Sequence, residues 1–139
     1  MPAPLLLSRR HAVRRNWATA KAVAALLALL PGLAAAQISP KAEREITSLL
    51  QAVGSSGCQF IRSGTAYAAD RAQAHLLKKY EHMASRNMLG SAEDFIVKAA
   101  TRSSMSGEAY AMRCGDAPPQ RCDEWLMTRL KAMRQTSPN

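Results

Sequence analysis

The 139-residue sequence is poor in aromatics, in acidic side chains and in cysteines, and each shortage excludes a class of function. Two Phe, two Trp and three Tyr are too few, and too far from basic residues, to make the base-stacking platforms of nucleic-acid binders. No run of lysines and arginines occurs beyond residue 36, so no nucleic-acid partner is expected. The three cysteines, Cys58, Cys114 and Cys122, fit no C-x₂-C framework. His75 and His82 are seven apart, two helical turns, whereas a shared zinc ion needs them three or four apart. No metal and no cofactor are therefore expected. The one long apolar run, Ala22 to Ala36, is shorter than the roughly 20 residues of a membrane span and contains Pro31. Internal repeats and low-complexity tracts are also missing.

What is present begins with an address. Arg9, Arg10, Arg14, Arg15 and Lys21 precede the apolar run, which ends on Ala34-Ala35-Ala36. Basic, then apolar, then small is the order of a cleaved secretory signal, with cutting expected before Gln37. "SRR" at Ser8 to Arg10 resembles a twin-arginine signal, but Ala12-Val13 offers no bulky apolar residue, which favours the general secretion route. The expected mature chain, 37–139, is periplasmic and has no stable membrane span. It keeps 14 basic residues against 10 acidic ones, so the +9 of the whole sequence falls to +4. About 103 residues suffice for one small domain with a modest core.

Hydrophobic spacing predicts six segments. Ser39 caps a first helix, Pro40 suits its first turn, and Ala42, Ile46, Leu49, Leu50 and Val53 form its apolar stripe. "CQFIRSGTAY" reads as a hairpin turning at Ser63-Gly64. A second helix covers about Ala69 to Ala84, and a third begins after the cap Ser91, with Glu93 and Asp94 in its first turn. Ala109 to Cys114 alternates as a third strand, and "GDAPPQR" reads as a loop because its prolines cannot continue a sheet. A last helix starts near Cys122, and the tail "QTSPN" should fray. The expected fold class is α+β: about four short helices packed on a three-stranded antiparallel sheet.

"RSSMSGEAYAMRC" raises the question of a serine nucleophile. A nucleophile elbow runs strand, serine, helix; here the order is helix, serines, strand, so a polar helix end and a turn at Ser106-Gly107 is the reading. In an oxidising compartment the cysteines are disulfide material first. Bridging Cys58 to Cys114 restricts the unfolded chain by ~4 kcal/mol, and Cys114 to Cys122 by roughly 2.6 kcal/mol. Loop length favours the long bridge only where geometry permits both. Cys122 is in line with Leu126, Leu130 and Met133 on the last helix, as a buried thiol would be.

"CQFIRSGTAY", "AHLLKKY", "SAEDFI", "SSMSGEAYAMRC" and "EWL" occur in the order and spacing of the YfeK-like family of small exported bacterial proteins, which this chain resembles from about Ala42 to Leu130. The resemblance implies an envelope protein with no established activity. Its pattern includes Cys58 and Cys114 but not Cys122, which implies a Cys58–Cys114 bridge. It usually carries Asn-Gly where Ser63-Gly64 stands here. Among its polar positions, Arg62, His75, Lys79, Ser104 and Ser106 are not needed to fill a core. Converging, they would form a cationic, hydroxyl-rich patch for a carboxylate or phosphate; otherwise each satisfies a local backbone group. The leading expectation is a non-enzymatic, disulfide-braced domain that binds an envelope protein or an anionic envelope component. The alternatives are an inhibitor of an envelope enzyme, whose exposed loop plugs the target, and a hydrolase or transferase using Ser104 or Ser106 with His75.

Overall fold

The computed structural model describes residues 37–136; the leader expected over residues 1–36 lies outside the described residues. Helix α1, Pro40–Gly54, begins where the Ser39 hydroxyl accepts the Ala42 amide at 3.1 Å. It buries Ala42, Ile46, Leu49, Leu50 and Val53, the stripe that the spacing predicts. Strands β1 (Gln59–Arg62) and β2 (Thr65–Tyr67) pair antiparallel with Arg62 opposite Thr65, leaving Ser63-Gly64 as a two-residue loop. Both residues have positive φ, 48° and 76°, the geometry whose twist matches the flanking strands.

Helix α2 runs Ala69–Ala84 and buries Ala72 and Leu76. Helix α3, Ala92–Phe95, starts on the Ser91 hydroxyl and passes directly into a π-helical segment, Ile96–Ala100. One continuous α-helix is the expectation from sequence; the observed winding changes after its first turn. Two carbonyls of this segment accept from side chains. The Thr101 hydroxyl donates to Ile96 O, five residues back, at 3.1 Å, and Lys79 Nζ donates to Ala99 O at 2.6 Å.

Strand β3 (Ala111–Arg113) pairs with β1, and a two-residue β4 (Gln120–Arg121) pairs with β3. The sheet thus has four antiparallel strands in the order β2-β1-β3-β4, one more than expected. The prolines do stay out of the ladder, but pairing resumes at Gln120, the residue after Pro119, where an edge strand needs no earlier N–H. Helix α4, Cys122–Thr136, follows without a break. It reaches Thr136, whose hydroxyl donates to Met133 O at 3.0 Å, and the rest of the tail expected to fray lies outside the described residues. The fold class is α+β.

Phe60 and Met112 are cross-strand partners on the face of the sheet that meets the helices. They join Ile46, Leu49, Phe95, Ile96, Leu126 and Leu130 in one core. Cys58 and Cys114 sit just beyond the Gln59–Arg113 pair and are bridged, with Cα atoms 4.3 Å apart. That settles the pairing left open by spacing. Cys122 is free and 1% exposed, and burial pushes its thiol up to about 12, so it stays protonated. Arg134 joins α4 to both other long-range neighbours at that end: it forks onto Glu45 of α1 through two 2.8 Å bonds and also binds Glu93 of α3. No helix among the described residues is long and apolar enough to cross a membrane.

Candidate functional site

Helix α2 lies beside the β1–β2 hairpin, and between them is a cleft of about 280 Å³. Arg71, Ala74, His75 and Lys78 reach it from α2 at i, i+3, i+4 and i+7, one helical face. Phe60 and Arg62 reach it from β1, Tyr67 from β2, and Tyr110 from the segment entering β3. Buried Phe60 (6% exposed) and Leu76 (3% exposed) form the floor. Exposed Arg71 and Lys78 and half-buried Arg62 form the rim. No Asp or Glu lines the cleft, and among the described residues none of these three cations is in an ion pair.

A half-buried polar chain backs this cleft. The Tyr110 hydroxyl stands 3.1 Å from His75 Nε2 and 3.4 Å from Lys79 Nζ. An ammonium can only donate, so the hydroxyl accepts from Lys79. In a neutral ring His75 Nε2 can accept the hydroxyl's own proton. Burial, followed by the nearby charges of Arg62, Lys79 and Lys78, holds the His75 pKa below its ordinary value, in keeping with that neutral state. Burial and then Arg62 also lower the Lys79 pKa, and burial raises that of Tyr110. Arg62 is thus the charge that His75, Lys79 and Tyr110 all feel.

The five polar residues singled out from sequence do not form one patch. Arg62 and His75 line the cleft. Lys79 lies behind Tyr110, its ammonium turned to the backbone, where it donates to Ala99 O and, at 3.2 Å, to Arg102 O. Ser104 is exposed on the following loop, and the Ser106 hydroxyl pairs with that of Ser63 at 3.0 Å. Neither serine lines the cleft, and the hydrogen bond of His75 goes to Tyr110. Sequence reasoning missed Arg71, Lys78 and Tyr110. The first two had a signal, since 71, 75 and 78 share a helical face, but a charged face normally means a solvated one.

The loop itself is organised around a different serine. Ser103 is buried; its hydroxyl accepts the Met105 and Ser106 amides at 3.4 Å each, and its backbone bonds to Glu108 O and Gly107 N at 2.9 Å. Gly107, at φ 73°, lets the chain close on itself. At the tip Met105 is 92% exposed.

Compared with known proteins, residues 40–134 match a family described as "Family of unknown function (DUF5329)". The chain is 37% identical over 90 residues, 64% of its length, to the uncharacterized protein YfeK of Salmonella typhimurium, of which the match covers 72%. No solved structure matches.

Proposed function

The chain belongs to the DUF5329 family of unknown function, and from that premise we propose that it is an exported, non-enzymatic binding domain whose cleft between α2 and the hairpin captures an anionic group. One observation carries this reading: Arg62, Arg71 and Lys78 surround a concave site that contains no carboxylate. Cations left without acidic partners at a cleft are a ready receptor for carboxylate or phosphate, and arginine binds either in a two-pronged manner. The polar groups beside them, His75 and Tyr110, can fix the orientation of a bound oxyanion. Export is supported by the basic, apolar and small order of residues 1–36 and by the Cys58–Cys114 bridge, which suits an oxidising compartment.

Thermal melts in acetate and in phosphate, each against chloride at equal ionic strength, test the binding. The anions should raise the melting temperature of the wild-type domain and leave Arg62→Ala with Arg71→Ala unmoved. An equal rise in both proteins refutes the cleft as the site. Fractionation of cells and sequencing of the mature N-terminus test export; a protein retained in the cytoplasm with residues 1–36 intact sinks it.

A second reading, an inhibitor of an envelope enzyme, is favoured by Met105. A loop tied by Ser103 and presenting one apolar side chain to solvent is preorganised for insertion into a partner's pocket. Crosslinking from position 105 in the native envelope tests it: a recurrent enzyme partner supports the reading, and adducts spread evenly over abundant proteins oppose it.

A further inference from the structure

We infer that the ligand of the cleft is a single-chain aliphatic anion, with its carboxylate or phosphate ester among Arg62, Arg71 and Lys78 and its hydrocarbon on Phe60 and Leu76. The inference rests on the anion reading above and adds the part of the ligand that charge does not specify. A site for a small inorganic anion needs donors all round and little else. This cleft is built otherwise. Its cations stand at the mouth, and its deeper wall is Phe60, Leu76 and Ala72, all buried residues of the core. Apolar lining with a few convergent polar groups is the composition of sites for amphiphilic small molecules.

The sequence places a small residue where the chain must pass. Ala74 lies between Arg71 and Lys78 on the same face of α2, and it keeps open a space that a larger side chain would occupy. Tyr67, the last residue of β2 and partly exposed, supplies an aromatic wall opposite. A cationic amphiphile would meet Arg62, Arg71 and Lys78 with no carboxylate to receive it, and a neutral one would leave their charges unpaired, so the charge pattern selects the anion. The cleft, bounded by one helix and one hairpin, suits one chain.

Calorimetric titration with acetate, octanoate, decanoate, inorganic phosphate, decyl phosphate and decyltrimethylammonium tests the inference. Each methylene that reaches the floor should tighten binding by about fourfold until the cleft is filled. Decanoate and decyl phosphate should therefore bind at least ten-fold tighter than acetate and inorganic phosphate, and the tighter of the two identifies the head group. Ala74→Phe, on an exposed helical face, should erase the chain-length dependence while leaving the melting temperature unchanged. Acetate binding as tightly as decanoate, with both lost in Arg62→Ala, overturns this inference and leaves the anion reading standing. Decyltrimethylammonium binding as tightly as decanoate, or no binding by any anion, overturns both.

Discussion

Replacing both bridged cysteines, Cys58→Ala with Cys114→Ala, should remove about 4 kcal/mol of stability. The bridge spans a sequence separation of 56 residues, and the chain-entropy relation for a loop of that size gives ~4 kcal/mol at room temperature. A domain of this length is stable by roughly 5–15 kcal/mol, so the loss is a large share of the total. It corresponds to a fall of roughly 15–30 °C in melting temperature. Urea unfolding of the two proteins side by side measures it, and an unchanged slope would show that the same surface is still exposed on unfolding. Cys122 can stay in place. Its thiol, pushed up to about 12 by burial, supplies no thiolate to attack the bridge in the folded protein. Unfolding free energies that agree to within about 1 kcal/mol would refute the entropic account. A Cys114–Cys122 peptide from the unreduced protein would refute the pairing itself.

Lys79→Ala strips the donor from Ala99 O and Arg102 O and should cost about 1–3 kcal/mol in a thermal or urea melt; an unchanged melt would mean that these carbonyls are satisfied otherwise. His75 titrates below its ordinary value in the folded chain, so as pH falls the unfolded chain takes up that proton first. Stability should decline below about pH 6.5 and level off beneath the folded-state pKa, a component that His75→Gln should abolish. Arg134→Ala should cost about 1 kcal/mol or less, because its side chain and that of Glu93 are about 40% exposed, and the cost should shrink in high salt. The hydrogen bonds from Arg134 hold Glu45 and Glu93 below the usual carboxylate range, so this contribution is lost as pH falls through their folded values, below 4.5; wild type and Arg134→Ala should converge there. Ser63→Asn, placing a residue more tolerant of the left-handed region at φ 48°, should stabilise the hairpin by about 0.5–1 kcal/mol, less whatever the lost bond to Ser106 contributed.

What could be read from the sequence divides along physical lines. Helix α1 was legible to the residue, because a cap, a proline and a complete apolar stripe agree. The hairpin was legible because a glycine in a two-residue turn admits few alternatives. Strand β4 was hidden because Pro118-Pro119 argues against pairing, and the two residues that do pair, Gln120 and Arg121, are held only by their place beside β3. The π-helical segment was hidden for a similar reason: one of its carbonyls, Ala99 O, is capped by Lys79, twenty residues away, which no local pattern displays. The cleft was half legible. Family resemblance pointed to Arg62 and His75, yet Lys79 and the serines shared that signal; Lys79 serves the backbone, Ser106 bonds Ser63, and Ser104 stands exposed. Tyr110 read as a strand residue, and only the fold sets its hydroxyl between a histidine and a lysine.

That placement makes Tyr110 a common member of two otherwise separate assemblies. Its hydroxyl touches His75 at the cleft, and its amide donates to Thr101 O at 2.9 Å, closing the base of the loop that carries Met105. A ligand of the proposed site that moves Tyr110 would therefore also act on the order of the loop. Whatever free energy a ligand in the cleft exchanges with the loop through this residue, a partner on the loop must return to the cleft in equal measure. A double-mutant cycle between His75→Ala and Ser103→Ala tests whether the two assemblies are coupled, as a departure from additivity of about 0.5 kcal/mol or more.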